Sequence, residues 1–135
     1  MGGKVALVEK HKMGGDCLNY GCVASKTLLK SARVAHLMRT AADYNMPPHA
    51  PEPDIAHVME RVATVIADIA PTDSPERFRG LGVDVILGDG KFIAPDCFEV
   101  GGRKLTARTF VIATGSRPGL PPIPGLGDVP YLTNE

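Results

Sequence analysis

The chain has 135 residues, enough for one ordinary domain with an apolar core but short for an enzyme that must hold both a cofactor and a reductant. Fifteen Lys and Arg balance fifteen Asp and Glu, so no net field draws the chain to nucleic acid or to an anionic membrane; a small-molecule or protein partner is expected. No stretch approaches the roughly 18–20 apolar residues of a spanning helix, no basic-then-apolar leader opens the chain, and three cysteines are too few for a secreted disulfide scaffold, so the expected location is cytoplasmic.

The chain opens on Gly2 and Gly3 and enters the apolar run of residues 5–8, which reads as a parallel strand buried on both faces and ended by Glu9. Gly14 and Gly15 then mark a turn. From Cys22 to about Asp43, Leu28, Leu29, Ala32, Ala35, His36 and Met38 recur near helical spacing. Pro47, Pro48, Pro51 and Pro53 make residues 44–53 a connection. A second helix is expected from Asp54, its cap, to about Ala70, with Ile55, Val58, Val62, Val65, Ile66 and Ile69 on one face and Pro71 as its stop. Ser74 and Pro75 read as a cap and first helical position of a short helix closing at Gly80 or Gly82.

Beyond Gly82 the period changes. Residues 83–87 are strand-like, and the pairs and triplets at 92–93, 98–100 and 104–105, separated by Pro95-Asp96 and Gly101-Gly102, predict a small antiparallel meander. Residues 110–113 read as a second buried strand ending in Thr114, Gly115 and Ser116, and five prolines between 118 and 130 predict an extended connector. The order gives an α/β fold, a parallel sheet with helices and an inserted antiparallel layer. No G-x-G-x-x-G loop occurs anywhere.

Chemistry concentrates in residues 14–26. Four residues separate Cys17 from Cys22, enough for a turn to bring the sulfurs together if Cys22 opens a helix. There the orphan amides and helix dipole favour a thiolate, and Lys26 one turn on adds to the effect; Cys17 would sit on the looser loop, accessible to substrate. Two cysteines at this spacing can equally be buried small hydrophobes or half a zinc site. Zinc lacks further ligands, with only His11 nearby and Cys97 in the expected meander, so no metal site is assigned. His36, His49 and His57 carry no partner pattern either.

The stretch resembles the signature of the pyridine nucleotide-disulfide oxidoreductases, G-G-x-C-x-N-x-G-C-x-P-S-K, at Gly14, Gly15, Cys17, Asn19, Gly21, Cys22, Ser25 and Lys26. Ala24 departs from it, standing where the family has proline. Residues 5–9 look like the second strand of the family's flavin domain and residues 113–116 like its later A-T-G turn; Asp16 and residues 121–135 are most similar to the mercuric-reductase-like branch, with dihydrolipoamide dehydrogenase also close.

The resemblance implies a Rossmann-like FAD-binding domain over residues 1–117, lacking the first strand, glycine loop and first helix, and a proline-rich connector over 118–135 toward a nicotinamide domain. It implies FAD as cofactor, with NAD(P)H as reductant of the intact enzyme, a small-molecule or disulfide substrate, and a homodimer. Glu9 would take the adenosine ribose, Gly15 and Asp16 the pyrophosphate and ribityl part, and Lys26 the flavin ring. Asp89 and Gly90 would face the adenine, and Ala113, Thr114, Gly115 and Ser116 would let the backbone approach the cofactor. Cys22 would face the flavin and Cys17 would exchange with substrate. The domain carrying the family's His-Glu acid-base pair is absent, so the chain is expected to be a piece of a longer enzyme, inactive by itself and weak or empty in FAD. The rival expectation is a non-catalytic thiol or metal-binding module, or a truncated reading frame without function of its own.

Overall fold

The computed structural model describes residues 3–134; Met1, Gly2 and Glu135, the first and last of which bound the expected domain and connector, lie outside the described residues. The chain divides into two compact units, one of residues 1–15 and 70–115, the other of residues 16–69 and 116–135.

In the first unit, strand β1 (Ala6–Glu9) runs parallel to β2 (Asp84–Leu87), with Ala6 opposite Asp84 and Glu9 opposite Leu87. Amides just outside the pair extend the ladder: Asp84 N–H donates to the Val5 carbonyl at 3.0 Å and Gly88 N–H to that of Glu9 at 2.9 Å. Leading into β2 is helix α4 (Pro75–Gly80), whose start follows the expected chemistry: the Ser74 hydroxyl accepts from Arg77 N–H at 3.2 Å and Pro75, which lacks an amide hydrogen, fills the first turn. Gly82, at φ +85°, then reverses the chain in a backbone state that only glycine takes without cost.

The meander is present as β3 (Gly90–Ala94), β4 (Cys97–Val100) and β5 (Arg103–Thr106), antiparallel in that order. Val100 in β4 is almost fully buried and, with Val85 and Ile86 of β2, belongs to the apolar core. Phe92 meets Phe98 and Phe110 edge-to-face, each with ring centroids 5.0 Å apart. Gly90 has a steric reason: a Cβ there would lie 2.4 Å from the Phe98 ring. Arg103 of β5 donates to the Asp84 carboxylate at 2.6 Å, and this hydrogen bond, with the guanidinium charge, holds Asp84 below its ordinary value.

The second unit is helical. Helix α1 (Gly15–Asn19) begins at the unit boundary, α2 (Cys22–Arg39) follows after Gly21, and α3 (Ile55–Ile69) packs on α2. Leu18, Thr27 and Val62 are its buried residues, Thr27 satisfying its hydroxyl on the Val23 carbonyl at 2.8 Å. A 3₁₀ turn (Ala41–Tyr44) ends in Asn45 at φ +56°, so α2 stops about four residues earlier than its apolar period suggested. Asp54 caps α3 as expected, its Oδ1 accepting from Ala56 N–H at 2.8 Å. The proline-rich segment is irregular but for a short 3₁₀ turn (Leu126–Asp128).

Two expectations fail. Residues 110–113 form no strand among the described residues, and Val111 is 88 % and Ile112 74 % exposed. Nor is β1 buried on both faces: Ala6 is exposed and the rest half-buried. Both runs have the composition of inner strands, but a strand exists only through a neighbouring ladder and covered faces, and the parallel sheet here has two strands.

Candidate redox-thiol site

The local sequence builds the thiol turn from α1 and the first turn of α2. Gly14 and Gly15, at φ +83° and +56°, carry the chain into α1, and Gly15 N–H donates to the Lys12 carbonyl at 3.1 Å. Buried Leu18 anchors α1. The Asp16 carbonyl then accepts twice, from Tyr20 N–H at 2.9 Å and Gly21 N–H at 2.7 Å, which ends the helix and turns the chain into α2. A Cβ at Gly21 would stand 3.1 Å from both the carbonyl and the Oδ2 of Asp16 and 3.4 Å from Cys17 Cα, so this close approach needs the missing side chain.

Cys17 is therefore on a short helix, not on the loose loop that the glycines suggested, because the Asp16 carbonyl and Leu18 order the segment. Cys22 is the first residue of α2, as the spacing required. Both thiols are free and exposed, and the turn brings them within hydrogen-bond reach of each other. The Cys17 thiol is held above its ordinary value of 9.0, first by its hydrogen bond with the Cys22 side chain, then by partial loss of solvent and by the charge of Cys22; the Cys22 N–H and the Lys26 ammonium act in the opposite sense. The two thiols thus meet at the first turn of α2, with the Lys26 cation one turn on. This arrangement can close a disulfide and reopen it.

The other sequence-predicted residues fall in two places. Glu9 ends β1, its carboxylate accepting from His11 N–H at 2.7 Å, and the Glu9 carbonyl receives Gly88, so Glu9 and the turn of Asp89 and Gly90 share the carboxyl end of the parallel pair. That is where open α/β sheets bind ligands. Asp89 Oδ1 accepts from Gly90 N–H at 3.1 Å. Asp16, Cys17, Cys22 and Lys26 form the second group, in the helical unit. Ala113, Thr114, Gly115 and Ser116 run as exposed backbone with Gly115 at φ +72° and no atom within 4 Å of where its Cβ would be. Gly15 is equally open. Bare backbone at Gly15 and Gly115 and a carboxylate at the end of β1 fit a dinucleotide cofactor.

Among the described residues, no group of three His, Cys, Asp or Glu is arranged to hold a metal ion, and no helix is long and apolar enough to cross a membrane. One residue near the site had no sequence signal. Asn134 donates to Asp16 Oδ1 at 3.5 Å from 118 positions away, and no local spacing can announce such a pair.

Residues 1–134 match the family described as pyridine nucleotide-disulphide oxidoreductase. The chain belongs to this family. Mercuric reductase of Lysinibacillus sphaericus is 35% identical over 98% of the chain and 24% of that protein, and dihydrolipoyl dehydrogenase of Acholeplasma laidlawii 36% identical over 93% and 37%. Among solved structures, the Cu(II) complex of the HOCl-induced flavoprotein disulfide reductase RclA from Escherichia coli superimposes with a TM-score of 0.71, at 26% identity, over 96% of the chain and 26% of that protein. The chain thus spans 24% to 37% of the length of these relatives.

Proposed function

We propose that this chain supplies the redox-thiol turn and part of the FAD-binding domain of an NAD(P)H-dependent disulfide or mercuric ion reductase. The observation that carries the reading is the pair itself: two exposed thiols in hydrogen-bond reach at the start of α2, beside Lys26. Glu9 would hold the adenosine ribose, Asp89 and Gly90 the adenine side, Gly15 and Asp16 the pyrophosphate and ribityl chain, Ala113 to Ser116 the approaching backbone, and Lys26 the ring. FAD, when bound, supplies the two electrons taken from NAD(P)H.

The chain's own residues do the substrate chemistry. Reduction of the disulfide between Cys17 and Cys22 by two electrons and two protons gives two thiols. The Cys17 thiolate then attacks a substrate disulfide and releases one thiol; Cys22 attacks the mixed disulfide, releases the second and restores the intramolecular bond. With mercuric ion, the two thiolates act instead as soft ligands.

In this reading residues 1–117 are an FAD-domain portion and residues 118–135 a connector, and the full enzyme is a cytoplasmic homodimer. The exposed edge of β1 and the unpaired run 110–113 would flank the strand that carries the phosphate loop in the whole enzyme. Without a G-x-G-x-x-G loop the chain by itself binds FAD weakly and does not turn over. Mild oxidation is expected to remove two of the three free thiols and a reductant to return them, the loss being abolished in Cys22→Ser. Persistence of all three thiols, or zinc bound at one per chain, would overturn the redox reading in favour of a thiol or metal module. Protein that purifies yellow with stoichiometric flavin would overturn the weak-binding statement.

A further inference from the structure

Helix α2 contains cations and no acid, and three of the cations line up with a thiol. Cys22, Lys26, Lys30 and Arg33 follow one another at intervals of four, four and three residues, which makes them neighbours along one face of the helix. That face is the solvent side: all four residues are exposed, whereas buried Thr27 and half-buried Ser31, Ala35 and Met38 mark the other side. Among the described residues none of the three cations makes an ion pair, and α1 sets only the Asp16 carboxylate against them. The Lys26 ammonium is felt at Cys17, where it favours the thiolate. By the helical rise, Lys30 and Arg33 stand about 12 and 17 Å from Cys22 along the axis. Their charge therefore reaches the thiols at low salt, where the screening length is about 30 Å, and is largely screened at 0.1 M, where it is about 10 Å.

We infer that the face of α2 formed by Lys26, Lys30 and Arg33 sets substrate specificity, drawing anionic disulfides to Cys17 and Cys22 in preference to neutral or cationic ones. The inference rests on the redox reading of the pair and adds the charge of the substrate to it. In the exchange the Cys17 thiolate attacks one sulfur of the substrate and releases the other as a thiolate. Cys22, losing its proton to solvent, then attacks the mixed disulfide and releases the second thiolate. The two cysteines end oxidised as one disulfide and the substrate disulfide ends reduced to two thiolates. The cations form and break no bond; they raise the local concentration of an anionic reactant and speed its encounter with the thiols.

The test compares rates of oxidation of the reduced full chain, with Cys97→Ser removing the third thiol, by three small disulfides: dianionic dithionitrobenzoate, uncharged dithiodipyridine and dicationic cystamine. At about 0.01 M salt, Lys30→Glu with Arg33→Glu is expected to lower the dianion-to-neutral rate ratio about tenfold and to raise the cystamine-to-neutral ratio. The neutral reagent should react within about twofold of its original rate, since neither substituted residue touches the thiols. At high salt the difference between the two chains should largely disappear. An unchanged dianion-to-neutral ratio, a loss that persists at high salt, or an equal fall with all three reagents would overturn the inference. Should the double reversal fail to fold, Lys30→Gln with Arg33→Gln removes the charge without inverting it and should lower the ratio about threefold. Failure of the redox reading shows separately, as no reversible loss of two thiols on oxidation of the unmodified chain.

Discussion

The thiol turn and the run 110–113 are both motif-bearing stretches of this chain, and they fare oppositely. The turn closes on itself: the Asp16 carbonyl, Gly21 and the first turn of α2 lie within a few residues, so the order of residue types suffices to bring the thiols together. Residues 110–113 have the stronger apolar signal, yet Val111 and Ile112 stand exposed, because a strand needs a ladder from elsewhere in the molecule. Strength of pattern is therefore a poorer guide than locality of the partners.

Several substitutions would break or sharpen this contrast. The largest effect is expected for Cys22→Ser, which leaves no partner for Cys17: intramolecular disulfide formation should vanish. With the shared hydrogen bond weakened, the pH midpoint of Cys17 alkylation should fall toward its ordinary value. Next, Val100→Ala should lower stability by about 1–3 kcal/mol, seen as a lower urea midpoint, since Val100 is only 1 % exposed. Val111→Ala should stay within about 0.5 kcal/mol. An equal loss at both positions would mean that Val111 is packed after all.

Gly90→Ala drives a Cβ toward the Phe98 ring and the Glu99 carbonyl, and should cost about 1–3 kcal/mol by the same measurement. Ser74→Ala removes the α4 cap and should cost about 1 kcal/mol.

The smallest expected effect concerns pH. Asp84 titrates lower in the folded chain than the ordinary 3.8, first because of its hydrogen bond with Arg103 and then the guanidinium charge. Its contribution is therefore complete above the unfolded value and is lost as pH falls through the lower folded value. Arg103→Met should flatten the acid arm of the stability profile and leave neutral pH nearly unchanged, because an exposed pair is worth little there. An unaltered acid arm would show that the pair is not held in solution.

Much of the second unit and the meander was legible because their signals are short-range. Asp54 and Ser74 cap α3 and α4 through side-chain contacts two and three residues away, and Gly101 and Gly102, at φ +55° and +77°, turn β4 into β5. The α1 helix was not legible: Gly14 and Gly15 dominate the pattern, while the ordering contacts of Asp16 and Leu18 appear only once the chain is folded. The early end of α2 is similar, since Asn45 in the left-handed region and the His49 amide on the Met38 carbonyl close the helix after its apolar period has run on.

By itself the sequence determined the helices α2 to α4 with the caps of α3 and α4, the meander and the spacing that lets two cysteines meet at a helix start, because each depends on residues within a turn or two of one another. Only the tertiary structure decided that Glu9 and the Gly88 turn share one end of the parallel pair, that Arg103 reaches Asp84, and that Asn134 reaches Asp16. Those pairings join residues 19 to 118 positions apart, or strands distant in the chain, and a partner that far away leaves no periodicity to read.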